Sequence, residues 1–492
     1  MTPINPNYAF MYSLGLSFWK YNQYYRFKGT ESMMEEKHIE ALAAIVGREN
    51  IYSDKAHLIA YSYDATRTRF EPEAVVFPRH EEDVSRILVY CNHHKIVITP
   101  RGAGSGFTGG ALPTSGGIIL AMEKHMNKIL EIDTQNMVAV VQPGVVNMDL
   151  QKAVEEVGLF YPPDPASEEY STLGGNVSEN AGGMRAAKYG ITKDFVMAMR
   201  AVRPNGEIIR AGKHTIKDVA GYHIAGILIA SEGTLAVTTE ITLKLIPKPK
   251  FTKAYMGIFP SVEDAMNAVF KSLASGANPV AMEFIDSLVV HSLKEKIGIA
   301  LPEEAGALLI GDVDGNVIEE VQFQLDTLER SFKENHAQDF IVAEPGEERD
   351  RLWFARRSAS PSVTYYGDKK LNEDISVPRS MLPEALKRIY AIGDKYGLSV
   401  PCFGHAGDGN IHVNVMLKDP TETELAEGHK AIEEIFALVV EMGGTLSGEH
   451  GIGTSKAPYM HIAFNQAELQ LFRDIKQAFD PNNILNPGKM GL

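Results

Sequence analysis

The spacing of apolar positions changes in a regular way along this chain. Residues 35–48 place Ile39, Leu42, Ala43, Ile45 and Val46 at helical spacing. Ala74–Phe77 reads as a short strand. Val84, Ile87, Leu88 and Cys91 share one face of a helix over 81–94, and Ile96–Thr99 follows as a β-branched strand. Short strands are expected at 118–122, 129–132 and 138–142, a helix at 148–157, and an alternating strand at 237–245. Pro247 and Pro249 mark a boundary. Beyond it the order strand–helix–strand recurs, at 254–259, 261–275 and 280–285, then at 307–312, 317–335 and 340–343. A further unit runs 374–377, 381–397, 399–403 and 411–416, and helices at 421–442 and 466–479 close the chain. Repeated units of this size predict an α+β architecture on an antiparallel sheet. The expected division is 35–250, a cap over 251–445, and a closing segment over 446–492.

The first β-α-β unit delivers the chain into Pro100-Arg101-Gly102-Ala103-Gly104-Ser105-Gly106-Phe107-Thr108-Gly109-Gly110. Glycines without Cβ atoms let backbone N–H groups turn inward around a phosphate. The loop therefore reads as a pyrophosphate cradle for a dinucleotide. Gly104 to Gly109 fits G-x-G-x-x-G, which marks a Rossmann site only when the glycines open a helix. Here Pro113 and Gly116-Gly117 stand where that helix would run. An NAD(P)-dependent Rossmann dehydrogenase is opposed on that ground. A second polar stretch, from Tyr161 through Gly183, has two Gly-Gly pairs and few apolar residues, and reads as a functional loop over the same cofactor.

Composition narrows the picture. The chain has 492 residues and a net charge of −15, which disfavours nucleic-acid binding. Its two cysteines, Cys91 and Cys402, exclude a disulfide framework and a four-thiolate iron–sulfur cluster. A reducing cytoplasm fits that count. No apolar run reaches the ~18 residues of a membrane span. Tyr8 to Phe27 is crowded with aromatics, and with Lys20, Arg26 and Lys28 it reads either as a peripheral membrane contact or as a leader ahead of a start at Met33 or Met34.

Two stretches in the second half are polar where a core would be apolar: Phe403–Asn414 and Ser447–Gly453. His405, His412 and Glu449 form a candidate two-histidine, one-carboxylate site for one divalent metal, with Zn, Mn or Fe suited to those ligands. His412 and Asn414 are two apart on a strand and share a face. His450 is a candidate general base. Arg356 and Arg357 read as a carboxylate clamp or as surface ion pairs.

These motifs together resemble the FAD-linked D-2-hydroxy-acid dehydrogenase family, which includes D-lactate dehydrogenases, the glycolate oxidase flavin subunit and D-2-hydroxyglutarate dehydrogenase. The resemblance covers residues 35–492. It rests on Pro100–Gly110, Thr172–Asn176 with Asn180–Gly183, Ser231–Leu235, Gly404–Asn414, Gly448–Gly453 and Phe479–Lys489. It implies a vanillyl-alcohol-oxidase/PCMH-type FAD-binding domain with a ferredoxin-like cap.

It also implies noncovalent FAD, since Ser105 stands where some relatives carry a flavin-linked histidine. The implied FAD contacts are Arg101, Gly102, Ala103, Gly104, Ser105, Gly106 and Gly109 in the first loop. Pro163, Asp164, Thr172, Gly174, Gly175, Asn180, Gly182, Gly183, Tyr189 and Gly190 follow in the second, with Glu232, Val237 and Asn486 beyond. His405, His412 and Glu449 match metal ligands, His450 the base, and Arg356 and Asn414 substrate contacts.

In the hydroxyglutarate members a lysine precedes the acidic strand; here Asn372 stands there, with Lys369 and Lys370 nearby. The implied reaction is oxidation of a small D-2-hydroxy acid, D-lactate or glycolate, to the 2-oxo acid. The electrons leave to an electron-transfer flavoprotein, an iron–sulfur subunit, a cytochrome or a quinone. A homodimer is compatible with all of this. The alternatives are a D-2-hydroxyglutarate dehydrogenase or a flavin electron-carrying subunit of a larger complex.

Overall fold

The computed structural model describes residues 34–294 and 301–492. The aromatic stretch Tyr8–Phe27, with both readings of it, lies outside the described residues. Four sheets organise the rest. In the first, Ala74–Val76, Ile118–Ala121 and Ile98–Arg101 pair in parallel, with Ile51–Tyr52 antiparallel at the edge. Helices Glu36–Val46 and Glu81–His94 bury Leu42, Val46, Val84, Ile87 and Leu88 with this sheet. Next comes a five-stranded antiparallel sheet in the order Ile129–Asp133, Val138–Val141, Val237–Lys244, Val196–Val202, Ile208–Gly212. A two-stranded ribbon joins Leu159–Phe160 to Ile246–Pro247.

The largest sheet has seven antiparallel strands. Their order is Asp339–Ala343, Phe251–Phe259, Ala307–Gly315, Ala281–Ile285, Cys402–His405, Asn410–Leu417, Lys369–Ser376. Helices Val262–Ala274, Ile318–Glu334, Leu382–Tyr396 and Glu422–Glu441 contribute to one core cluster with it. The local reasons are clear in Leu382–Tyr396. Leu382, Ala385, Leu386, Ile389 and Ile392 repeat at helical spacing and are buried, and Gly397 at φ +67° ends the helix in the left-handed region. Fully burying each of its large apolar side chains contributes about 1.5–3 kcal/mol. Among the described residues no helix is long and apolar enough to cross a membrane.

Two expectations are corrected. The stretch 171–183 is not all loop: Leu173–Glu179 is a helix. Thr172 Oγ1 caps it by accepting from Gly175 N at 3.4 Å, and Asn180 closes it at φ +54°. Each interior glycine costs about 1 kcal/mol of helix propensity. Burial of Leu173 and Val177 offsets that cost, and Gly174 is held to glycine by Pro143, whose Cβ would lie 2.6 Å from a Cβ there. Glu347–Ser362 is a helix where the sequence reading expected no element.

Candidate active site

The glycine loop leaves the strand Ile98–Arg101 at the mouth of a cleft. Counted out into the solvent at its opening, the free space is about 1370 Å³. Gly102, Ala103, Gly104, Ser105, Gly106 and Phe107 line it on one side, and Thr172, Gly174, Gly175, Gly182, Glu232 and Val237 on others. Gly106 lines the cleft, and a Cβ added there would meet nothing within 4 Å. The cradle fits a pyrophosphate-bearing cofactor. Arg101 is buried, and its guanidinium donates to the Tyr63 carbonyl at 2.7 Å and to Ala111 at 3.3 Å. Its hydrogen bonds brace the loop from within.

Several residues expected at the cofactor stand elsewhere. Pro163 and Asp164 do not line the cleft: the Pro163 carbonyl accepts from Asn147 and Gln151, and Asp164 pairs with Arg185 at 3.4 Å. Their neighbours Pro165, Ala166 and Ser167 form the wall instead. Asn180, Gly183 and Gly190 shape the backbone, at φ +54°, +157° and +90°. Tyr189 Oη donates to Asp314 at 2.8 Å, on the largest sheet. Gly109 and Asn486 sit behind the loop, where Asn486 Nδ2 donates to the Gly110 and Glu232 carbonyls at 2.8 and 2.7 Å. A residue's position in a motif does not tell whether it faces the ligand or supports what does.

The cleft is also lined by Glu449 and His450. Here the second-half motifs converge. Glu449 Oε1 lies 3.4 Å from His405 Nε2, 3.5 Å from His412 Nε2 and 3.9 Å from His450 Nε2. Three imidazole nitrogens thus face one carboxylate oxygen, a donor set that suits a divalent cation. Asp374, His412, Glu449 and His450 also offer ligand atoms within 4.8 Å of one another. Asp374 is less free to ligate. Its Oδ2 accepts from the backbone N–H of Gly448, Glu449 and His450 at 3.0, 2.9 and 2.9 Å, and from Ser447 Oγ at 3.1 Å. It shapes the turn that carries Glu449 and His450.

Glu283, absent from the sequence reading, ties the site together. It is fully buried, and it accepts from Arg356 Nε at 2.7 Å while its other oxygen lies 2.7 Å from His405 Nδ1. The interaction fixes the His405 ring and leaves Nε2 facing Glu449, the arrangement that outer carboxylates give to metal-binding histidines. Burial would lower the His405 pKa, but Glu283 and Glu449 outweigh it and hold it well above the ordinary value. Burial takes His412 down to about 3. Burial opposes ionisation of Glu449 as well, yet His405 and His412 hold it at about 2.

Arg356 keeps its two Nη groups for other partners and lies 4.9 Å over the Phe403 ring. Arg357 turns away and donates to the Asp350 carbonyl. Asn414 is wholly buried on the His412 face of its strand. Its Nδ2 donates to Pro401 and His412 carbonyls at 3.0 and 3.2 Å, and its Oδ1 has no partner among the described residues. Phe107 stands over His450 with ring centroids 5.1 Å apart, and His450 stacks on His412 at 5.5 Å.

Residues 72–212 match the family described as FAD binding domain, and residues 248–490 the one described as FAD linked oxidases, C-terminal domain. The chain is 41% identical to the glycolate oxidase subunit GlcD of Bacillus subtilis (strain 168), over 92% of this chain and 96% of that one. It is 36% identical to D-lactate dehydrogenase of Anaerostipes hadrus, over 95% and 99%. It is 31% identical to D-2-hydroxyglutarate dehydrogenase of Stutzerimonas stutzeri (strain A1501), over 92% and 98%. Its fold is that of p-cresol methylhydroxylase, with a TM-score of 0.77 at 19% identity, covering 94% of this chain and 98% of that one.

Proposed function

Given that this chain belongs to the FAD-linked oxidase family, we propose that it oxidises a small D-2-hydroxy acid, D-lactate or glycolate, to the 2-oxo acid. The carrying observation is that Glu449 and His450 line the same cleft as the glycine loop. Bound FAD supplies the acceptor for the hydride leaving the substrate Cα. His405, His412 and Glu449 would hold a divalent metal, which would supply Lewis-acid polarisation of the substrate hydroxyl oxygen.

Arg356 binds the substrate carboxylate through its two Nη groups, while Glu283 fixes its Nε. His450 takes the hydroxyl proton at Nε2. Asp374 holds His450 in place through the backbone of its turn, and Phe107 and His412 bracket the ring. Positioning of this kind turns a bimolecular encounter into an oriented one. Electrons leave to a separate acceptor, because two cysteines cannot ligate a four-thiolate cluster in this chain.

A second reading, a larger acid with a second anionic group, is favoured by Lys370. Its Nζ donates to Ser360 Oγ at 3.0 Å, and Ser360 stands one helical turn beyond Arg356. Lys370, Asn372 and Asp374 alternate along one face of their strand, opposite Met416, Asn414 and His412.

The test is anaerobic flavin bleaching by glycolate, D-lactate, L-lactate and D-2-hydroxyglutarate, before and after chelation. Bleaching by a D-acid, lost on chelation and restored by a divalent cation, is the expected result. A holoprotein bleached by none of them would overturn the substrate class, and bleaching indifferent to chelation would overturn the metal's role.

A further inference from the structure

The glycine loop carries one large side chain into the active-site cleft. From Gly102 to Gly110 the residues are Gly, Ala, Gly, Ser, Gly, Phe, Thr, Gly and Gly, so Phe107 is the bulky group of the loop. It lines the cleft together with Glu449 and His450, yet it is 51% exposed. Aromatic surface left in water is unfavourable until something apolar covers it.

The backbone that carries this open ring is fixed to the His450 segment. The Thr108 carbonyl accepts from Thr454 N at 2.8 Å and from Ser455 N at 3.0 Å, and Thr108 Oγ1 donates to the His450 carbonyl at 3.1 Å. A Cβ on Gly453 would collide with the Thr108 carbonyl oxygen, so the two segments run in close contact. The Phe107 ring is thereby set beside His450, with centroids 5.1 Å apart and a tilt of 34°.

The Cα of a 2-hydroxy acid carries a hydroxyl, a carboxylate, a hydrogen and a side chain. In the reaction proposed above the hydroxyl meets His450, the carboxylate meets Arg356, and the hydrogen leaves as hydride to FAD. The side chain is still without a partner. Phe403, the aromatic under Arg356, is buried, and the guanidinium lies over its ring. Phe107 adjoins His450, has half its surface open, and carries no polar atom. Such a wall favours each carbon that a side chain adds. Against a second carboxylate it offers only lost hydration with no pairing in return.

We infer that Phe107 is a specificity-determining residue, whose ring forms an apolar wall against the side chain of the 2-hydroxy acid. The inference rests on the proposed roles of His450 and Arg356 and names the acids that their site prefers. It separates the two readings given above: Phe107 selects D-lactate and its aliphatic homologues, whereas Lys370 would suit a dianion.

The test compares FAD-loaded wild type, Phe107→Ala and Phe107→Leu by stopped-flow flavin reduction with glycolate, D-lactate, D-2-hydroxybutyrate and D-2-hydroxyglutarate. The quantity read is the ratio between acids of the second-order rate constant for reduction. Any disturbance of His450 falls on every acid alike and cancels in that ratio, whereas a lost wall falls only on acids that have a side chain. Wild type is expected to favour D-lactate over glycolate by at least about fourfold, the worth of one buried methyl group. Phe107→Ala is expected to erase most of that preference and to lower D-2-hydroxybutyrate further. Phe107→Leu, which keeps an apolar wall, is expected to retain most of it. If Phe107→Ala does not hold FAD, Phe107→Asn, polar and close to leucine in size, takes its place with the same expectation. Wild-type ratios in the alanine or asparagine variant would overturn the inference, as would a wild type that favours D-2-hydroxyglutarate over D-lactate. A flavin reduced by none of the four acids would instead overturn the roles of His450 and Arg356, and this inference with them.

Discussion

Glu283 and His405 face each other as register partners on neighbouring antiparallel strands, with Glu283 Oε1 2.7 Å from His405 Nδ1. The other oxygen of Glu283 accepts from Arg356 Nε at 2.7 Å. One carboxylate therefore orients both a candidate metal ligand and the candidate substrate clamp. Glu283→Ala leaves Arg356 and His405 buried without their partner. Breaking such a buried pair costs about 3–5 kcal/mol, to be read from urea unfolding. Glu283→Gln keeps the shape but not the charge. We expect it to fold, to hold FAD, and to lose about 10- to 100-fold in flavin reduction or metal affinity, as outer-shell changes do. Unchanged values in both variants would remove Glu283 from this role.

His450→Gln is expected to keep the flavin spectrum and to slow substrate-driven flavin reduction by about 10²- to 10⁴-fold, the usual worth of a positioned general base. Stopped-flow reduction with saturating substrate checks this. A rate within a few-fold of wild type would move the base elsewhere.

Gly106 distinguishes folding from cofactor binding. Nothing lies within 4 Å of a Cβ there, so Gly106→Leu should leave the apoprotein's melting temperature unchanged. Gly106 also lines the cleft, so the added side chain is expected to intrude on the cofactor's space. Overpacking of about 1–3 kcal/mol corresponds to about 5- to 150-fold weaker FAD binding. Isothermal titration of the apoprotein measures it.

Asp286 gives a pH-dependent stability term away from the active site. It is fully buried, caps the helix Ser287–Leu293, and accepts from Cys402 N at 2.6 Å. Burial nevertheless raises it to about 6. The folded pKa is above the unfolded value of about 3.9. Its contribution is therefore fully present below about pH 4 and lost as pH rises through about 6. Relative to Asp286→Asn, the wild type should lose up to about 3 kcal/mol of stability over that window, at 1.36 kcal/mol per pKa unit. Parallel urea titrations at several pH values would show it, and a difference independent of pH would contradict it.

Much of the architecture was readable from spacing alone. Helices such as Val262–Ala274 and Leu382–Tyr396 fall within a residue or so of the expected ranges, because their apolar faces repeat at the helical period. Leu173–Glu179 was hidden because Gly174 and Gly175 oppose a helix locally, and only packing against Pro143 and the core overrides them. Asp164 and Tyr189 show the same limit at the site. Each lies in an expected segment, yet Asp164 pairs with Arg185 and Tyr189 bonds Asp314 on the largest sheet.

By itself the sequence determined that a glycine-rich loop follows a strand and, with Pro113 behind it, opens no Rossmann helix. It also supplied the histidine and glutamate stretches and excluded an iron–sulfur cluster of four cysteines. These are local facts, set by backbone freedom, side-chain period and residue counts. Only the tertiary structure decided that Glu283 serves His405 across 122 positions of sequence, that Asp374 gathers the turn at 447–450, and that Phe107 stands over His450. Those relationships depend on strand register and on two loops meeting in a buried space, where desolvation makes each charge and each missing partner count, and no short-range pattern encodes them.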